Sequence, residues 1–240
     1  MAHLIVPNGG IVIVDMVNNF ARTLGFPRRT ALYRSIYAKY KDFTMINEGT
    51  YMSNLRLADL VQHLPGAVVE CGVWRGGMSA GMADLLGPNR EYVLCDSFEG
   101  LPPAKEIDGA GAIAWQANPA GESYHDNCTA DENFARRAMA KSSAQRVRYV
   151  RGWFDQTLPT LELSEPIALL RLDGDWYDST MTCLTHLFPK VRPGGVILID
   201  DYHTWDGCSR AVHDYLSAQR SVARISQWDQ LVCYIKVPQS

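Results

Sequence analysis

Net charge is nearly absent from this 240-residue chain, in which 23 Lys and Arg face 26 Asp and Glu to leave −3 at neutral pH. Without a basic face there is no footprint for a phosphate backbone, so nucleic acid is not the expected partner. The six cysteines, at 71, 95, 128, 183, 208 and 233, include no C-x-x-C pair. That argues against zinc sites and disulfide frameworks and predicts reduced core thiols in a cytoplasmic protein. Long apolar runs are also missing: residues 11–14 are apolar, but Asp15 stops them and no basic segment precedes them. Neither a secretory signal nor a membrane span is expected. Repeats and low-complexity tracts are absent too.

What is present is enough for a full core, 47% hydrophobic residues, with strand and helix patterns in alternation. Helical spacing covers 51–64, 78–86, 132–141, 180–188 and 209–218, and apolar runs mark strands at 67–71, 91–96, 146–150, from 169 and from 195. Pro193-Gly194-Gly195 reads as the turn before the last of these, and 222–225 with 231–237 reads as a closing hairpin. The pattern predicts an α/β fold with a mostly parallel seven-stranded sheet, right-handed crossovers and an antiparallel C-terminal hairpin.

Two of the strands stop abruptly on acids. Leu169-Leu-Arg-Leu is followed by Asp173-Gly-Asp175, and Val196-Ile-Leu-Ile by Asp200-Asp201. If these strands are parallel neighbours, about 4.8 Å apart, Asp173, Asp200 and Asp201 converge at one edge. A single Asp after a strand is commonly a cap, but three together repel unless a cation sits among them. Mg²⁺, a hard ion with oxygen ligands and open positions, is the simplest solution.

A second edge supplies a ligand site. The strand at 67–71 runs into Glu70-Cys-Gly72-Val-Trp-Arg-Gly76-Gly, which lacks the full dinucleotide glycine spacing. Asp96 ends the next strand 26 residues after Glu70, where doubly wound folds hold ribose hydroxyls. Together they suggest a nucleoside ligand without a pyrophosphate, and S-adenosylmethionine (SAM) fits. The residues assigned to it are Glu70, Gly72, Gly76, Asp96, Ser97, Gly152, Trp153 and Asp173, with Trp153 as a cover for the adenine.

The strings VVECGVWRGG, LCDSFEGLP, RGWFDQTLP, LLRLDGDWYDST and PGGVILIDDYHTWDGCSRAV together resemble the macrocin O-methyltransferase family, which are Mg²⁺- and SAM-dependent sugar O-methyltransferases. The resemblance runs from about Tyr51 to the C-terminus. It implies a class I (Rossmann-like) methyltransferase fold over 51–240, a metal held by Asp173, Asp200 and Asp201, and Asp175 as candidate base. The acceptor it implies is a sugar hydroxyl, with a deoxysugar of a glycosylated natural product as the expected class. Residues 1–50 match least and are expected to shape the acceptor pocket or a homo-oligomer contact.

Between Leu101 and Thr129 the pattern dissolves into a polar insertion rich in Gly and Pro. Its length, and the aromatics Trp115 and Tyr124 inside it, predict a lid over SAM and acceptor. Asp175, two residues past Asp173, would take the hydroxyl proton, with continued strand alternation putting both on one side. His203 is the rival base. Competing readings are a catechol-type O-methyltransferase, a glycosyltransferase using Asp173-Gly-Asp175 as a D-x-D metal motif, and a non-catalytic SAM-binding module. The glycosyltransferase leaves the glycine turn and the second acid-bearing strand without a task.

Overall fold

The computed structural model of the protein describes residues 29–229 and 232–239. Its frame is a seven-stranded sheet built from β1 (Ala67–Cys71), β2 (Glu91–Asp96), β3 (Arg146–Arg151), β4 (Ile167–Leu172), β5 (Val191–Ile199), β6 (Ile225–Trp228) and β7 (Val232–Lys236), in the order β3-β2-β1-β4-β5-β7-β6. The first five are parallel, while β7 runs antiparallel to both β5 and β6. The predicted mostly parallel sheet with an antiparallel C-terminal hairpin is therefore the observed one. Because the strand order reverses at β1 and β4, the crevice outside their carboxyl ends is where such sheets take ligands.

Both faces of the sheet are covered, which is why β1 and β4 read as unbroken apolar runs and not as alternations. Val68, Leu94, Leu169 and Leu198 face helices α2 (Glu48–Asp59) and α3 (Gly77–Leu86), whereas Val69, Val93, Leu170 and Ile197 face α7 (Tyr177–Leu187) and α8 (Asp206–Ala218). The core thiols are as predicted: all six cysteines are free, and all but Cys128 are buried.

Several boundaries differ from the sequence reading, each for a local reason. Helix α2 begins at Glu48 because the Asn47 side chain accepts from Thr50 N at 3.0 Å, a cap the periodicity does not reveal. Helix α7 begins at Tyr177 because Tyr177 N donates to Asp108 Oδ1 of the insertion at 2.7 Å. Pro193-Gly194-Gly195 is not a turn but part of β5, where Gly194 N donates to Val237 O and Val237 N to Gly195 O. The register slips there, with Ile167 opposite Val191 and Leu169 opposite Val196, so the glycines make a bulge. The hairpin strand lies at Ile225–Trp228 in place of 222–225, and Val222 is exposed.

Residues 1–28, including the apolar stretch at 11–14, and Leu231 lie outside the described residues. The described part of the N-terminal segment packs into the domain. Its helix α1 (29–40) buries Tyr33, Ile36 and Tyr40 in the same core as α2 and α3. Among the described residues no helix is long and apolar enough to cross a membrane.

Candidate active site

The ladder continues one residue past the parallel strands and so aligns the site. Gly72 N donates to Cys95 O at 3.0 Å, Asp173 N to Cys71 O at 2.8 Å, Asp200 N to Leu172 O at 3.0 Å and Gly152 N to Asp96 O at 2.9 Å. At Gly72 (φ 87°) an added Cβ would lie 1.7 Å from the Asp173 carbonyl oxygen. Only glycine lets the ends of β1 and β4 approach this closely.

This edge forms one wall of a cavity of about 1060 Å³. Asp96, Ser97, Gly152 and Trp153 line it beside β2 and β3, Gly72 lines it past β1, and Asp173, Asp175, Asp200 and Asp201 line it past β4 and β5. Glu70, Gly76 and His203 are not part of the lining. Glu70 is buried beneath the turn, accepting from Arg171 Nη1 at 2.7 Å and from the Ser79 hydroxyl. Gly76 caps α3 in a left-handed conformation. His203 is exposed, its Nε2 3.3 Å from Cys233 Sγ.

The turn after β1 is fastened to Asp96. Its Oδ2 accepts from Val73 N at 2.6 Å and Trp74 N at 2.8 Å, and its Oδ1 accepts from Phe98 N at 2.7 Å. Burial raises the Asp96 carboxyl above the usual range, and the three amides work against that rise.

At the other end, oxygens of Asp173, Asp175 and Asp201 lie within 4.8 Å of one another. The sequence groups Asp173, Asp200 and Asp201, but here one oxygen of Asp200 turns away, toward Arg171 Nη2 at 2.8 Å and Asn54 Nδ2 at 3.1 Å. Asp175 meets Asp173 by a route other than strand alternation. The chain leaves extension at once, with Asp175 left-handed at φ 57° and its N–H donating to Asp201 Oδ2 at 3.1 Å.

Burial pushes all three carboxyls of this cluster upward; Arg171 pulls Asp173 back, while the neighbouring carboxylates push Asp175 and Asp201 further, so the three do not all stay ionised without a cation. A cluster of oxygens this close, facing open space, suits a hard divalent ion. Behind it, the fully buried Arg171 pairs with Glu70 and Asp173, each at 2.7 Å, and with Asp200, while its Nε donates to Asn54 Oδ1 at 3.1 Å. Glu70, lifted by burial against the pull of Arg171 and Ser79, reaches a pKa of about 7.

The insertion is folded, not structureless. It holds α4 (Ala110–Gln116) and two short 3₁₀ turns, and its stem is tied by Asn127 to Leu101 and Gln116. Trp115 of α4 meets Trp205 edge to face at 5.7 Å and Trp176 at 6.2 Å, with Tyr124 tilted against it at 5.2 Å. All three tryptophans line the cavity. Arg171, Asn54, Asp108, Trp176 and Trp205 were not singled out by the sequence. An arginine inside an apolar run, Leu-Leu-Arg-Leu, is the one signal that pointed toward a buried ion-pair network.

The family model described as Macrocin-O-methyltransferase (TylF) matches residues 38–236. The chain is 38% identical over 159 residues to mycinamicin III 3''-O-methyltransferase of Micromonospora griseorubida, covering 63% of this chain and 61% of that protein. It is 36% identical over 159 residues to demethyldecarbamoylnovobiocin O-methyltransferase of Streptomyces niveus, covering 64% and 59%. The chain thus spans about three fifths of the length of the curated relatives it matches. Among solved structures, the O-methyltransferase NovP superposes with a TM-score of 0.70 and 30% identity, over 82% of this chain and 83% of that one.

Proposed function

Because the chain belongs to the macrocin O-methyltransferase family, we propose that it transfers the methyl group of SAM to a hydroxyl of a sugar on a glycosylated small molecule, with the help of Mg²⁺. One observation carries this reading: a single cavity joins a β2-end acid, Asp96, to the carboxylate cluster after β4 and β5. The names of the relatives, given for mycinamicin III and for demethyldecarbamoylnovobiocin, support a glycoside acceptor.

In this reading bound SAM would supply an electrophilic methyl group, and a divalent ion held by Asp173, Asp201 and the Asp200 oxygen that does not face Arg171 would supply positive charge favouring an ionised hydroxyl. The chain's own residues do the rest. Asp96 accepts hydrogen bonds from ribose hydroxyls while its amide partners hold the turn. Asp175 accepts the proton of the attacking hydroxyl. The tryptophan wall and the insertion exclude water around the reacting groups. Cytoplasmic location and a possible homo-oligomer complete the proposal.

The direct test is methyl transfer from labelled SAM, with and without Mg²⁺, to deoxysugar glycosides and to simple catechols. Label on the glycosides alone supports the reading; label on catechols alone replaces it with the catechol-type alternative. Asp96→Asn is expected to weaken S-adenosylhomocysteine binding by about 10- to 100-fold, the size of a lost hydrogen bond to a charged group. Calorimetry reads this on protein that keeps a cooperative unfolding transition, its midpoint lowered because the Asn amide cannot accept from all three N–H groups, and unaltered affinity removes Asp96 from the site.

For the insertion, we propose that it opens and closes as a lid. Limited proteolysis is expected to cut its exposed stretch around 117–123 in the free protein and to slow several-fold with S-adenosylhomocysteine bound. Equal cutting in both states counts against a lid.

A further inference from the structure

The left-handed backbone of Asp175 requires an explanation, because non-glycine residues hold that conformation only where their surroundings impose it. Two hydrogen bonds do so here. Asp175 N donates to Asp201 Oδ2 at 3.1 Å, and Asp175 Oδ1 accepts from Trp205 Nε1 at 2.9 Å. Trp205 comes from the loop after β5, where its own N–H donates to Asp201 O at 3.0 Å. Its indole is thus the side-chain donor that fixes where the Asp175 carboxylate points.

The indole is fixed in turn by its neighbours. Trp176 packs against it edge to face at 5.2 Å, and Trp115 of the insertion does so at 5.7 Å. Trp176 is anchored to the stem of the insertion, its Nε1 donating to Pro102 O at 2.8 Å. The docked insertion therefore touches, through Trp115, the indole that holds the Asp175 carboxylate and, through Pro102 and Asp108, the chain just past Asp175.

We propose that Trp205 is a positioning residue that aims the Asp175 carboxylate at the acceptor hydroxyl, and that the insertion sets Trp205 through Trp115. The base is then aligned only when the insertion is docked. This rests on the reading of Asp175 as the base, and it adds a residue that acts through Asp175.

Trp205→Phe keeps a ring against Trp115 and Trp176 but removes the N–H. It is expected to lower kcat by about 10- to 100-fold, the scale of a misplaced catalytic group, while the acceptor KM and S-adenosylhomocysteine affinity stay within about twofold by the same reasoning. In an Asp175→Asn background the same change is expected to have no further effect, because there is no base left to aim. Trp115→Leu is expected to lower kcat with the same split, and not to add to Trp205→Phe.

Normal kcat in Trp205→Phe alongside an impaired Asp175→Asn overturns the positioning role and leaves the reading of Asp175 intact. Normal kcat in Asp175→Asn itself overturns that reading. A raised KM with unchanged kcat makes Trp205 an acceptor contact, and an equal loss in the Asp175→Asn background makes it merely structural; either overturns the proposal. If Trp205→Phe shows no unfolding transition, Trp115→Leu carries the test, since it leaves both members of the hydrogen bond in place, and normal kcat there breaks the link to the insertion.

Discussion

Replacing Asp175 by Asn is expected to lower kcat by about 10²- to 10⁴-fold, the usual cost of losing a general base. Asn has the same shape and still accepts from the Trp205 indole, so the packing of the cavity wall is preserved. What it cannot do is take a proton. Burial, with Asp173 beside it, already raises the affinity of the Asp175 carboxylate for a proton, which suits a group that must collect one from a hydroxyl. The Mg²⁺ concentration for half-maximal rate is expected to move little, which separates loss of a base from loss of a ligand. His203→Ala is the companion measurement. That imidazole is exposed, bonds Cys233 and lies off the cavity lining, so kcat is expected to stay within about twofold, as for a surface site. Steady-state kinetics on both variants checks the assignment, and a dead His203 variant beside a normal Asp175 variant reverses it.

How much of this was legible in the sequence depends on the range of the interaction. The parallel core, the antiparallel hairpin and the common edge of Asp96, Asp173 and Asp200 follow from apolar runs that end on acids, because period and burial are local signals, whereas the order of the strands in the sheet comes from the structure. Which carboxylates face one another was not legible. The convergence of Asp175 with Asp173 depends on a left-handed residue, and the turn of Asp200 depends on Asn54, 146 residues earlier in the chain. Asn54 looked like one more polar residue of an ordinary helix. The start of α7 was missed because its cap, Asp108, is supplied by the insertion and not by the preceding residues. Trp115 was flagged as too large for a decorative loop, yet its partners Trp176 and Trp205 come from two other loops, and no spacing rule connects the three.

Removal of divalent metal is expected to abolish turnover, and the charge balance of the edge is the reason. Arg171 is the one buried cation against Glu70, Asp173 and Asp200, and the cluster adds Asp175 and Asp201 without another basic partner among the described residues. Left alone, these carboxyls lower the repulsion by holding protons, which is the direction in which burial and their neighbours push them. A protonated Asp175 cannot serve as the base, so the metal-free protein is expected to lack both the stabilising charge and the proton acceptor. EDTA is therefore expected to stop methyl transfer and added Mg²⁺ to restore it. Binding has a readout independent of activity, because a ligand that binds only the folded state stabilises it, by about 2.7 kcal/mol at a hundred times its dissociation constant. Mg²⁺ is expected to raise the thermal midpoint of the wild-type protein and of Asp96→Asn, but not of Asp173→Asn or Asp201→Asn. Full activity after chelation, with a midpoint that ignores Mg²⁺, means that the cluster is balanced by protons alone and that methyl transfer proceeds without a metal.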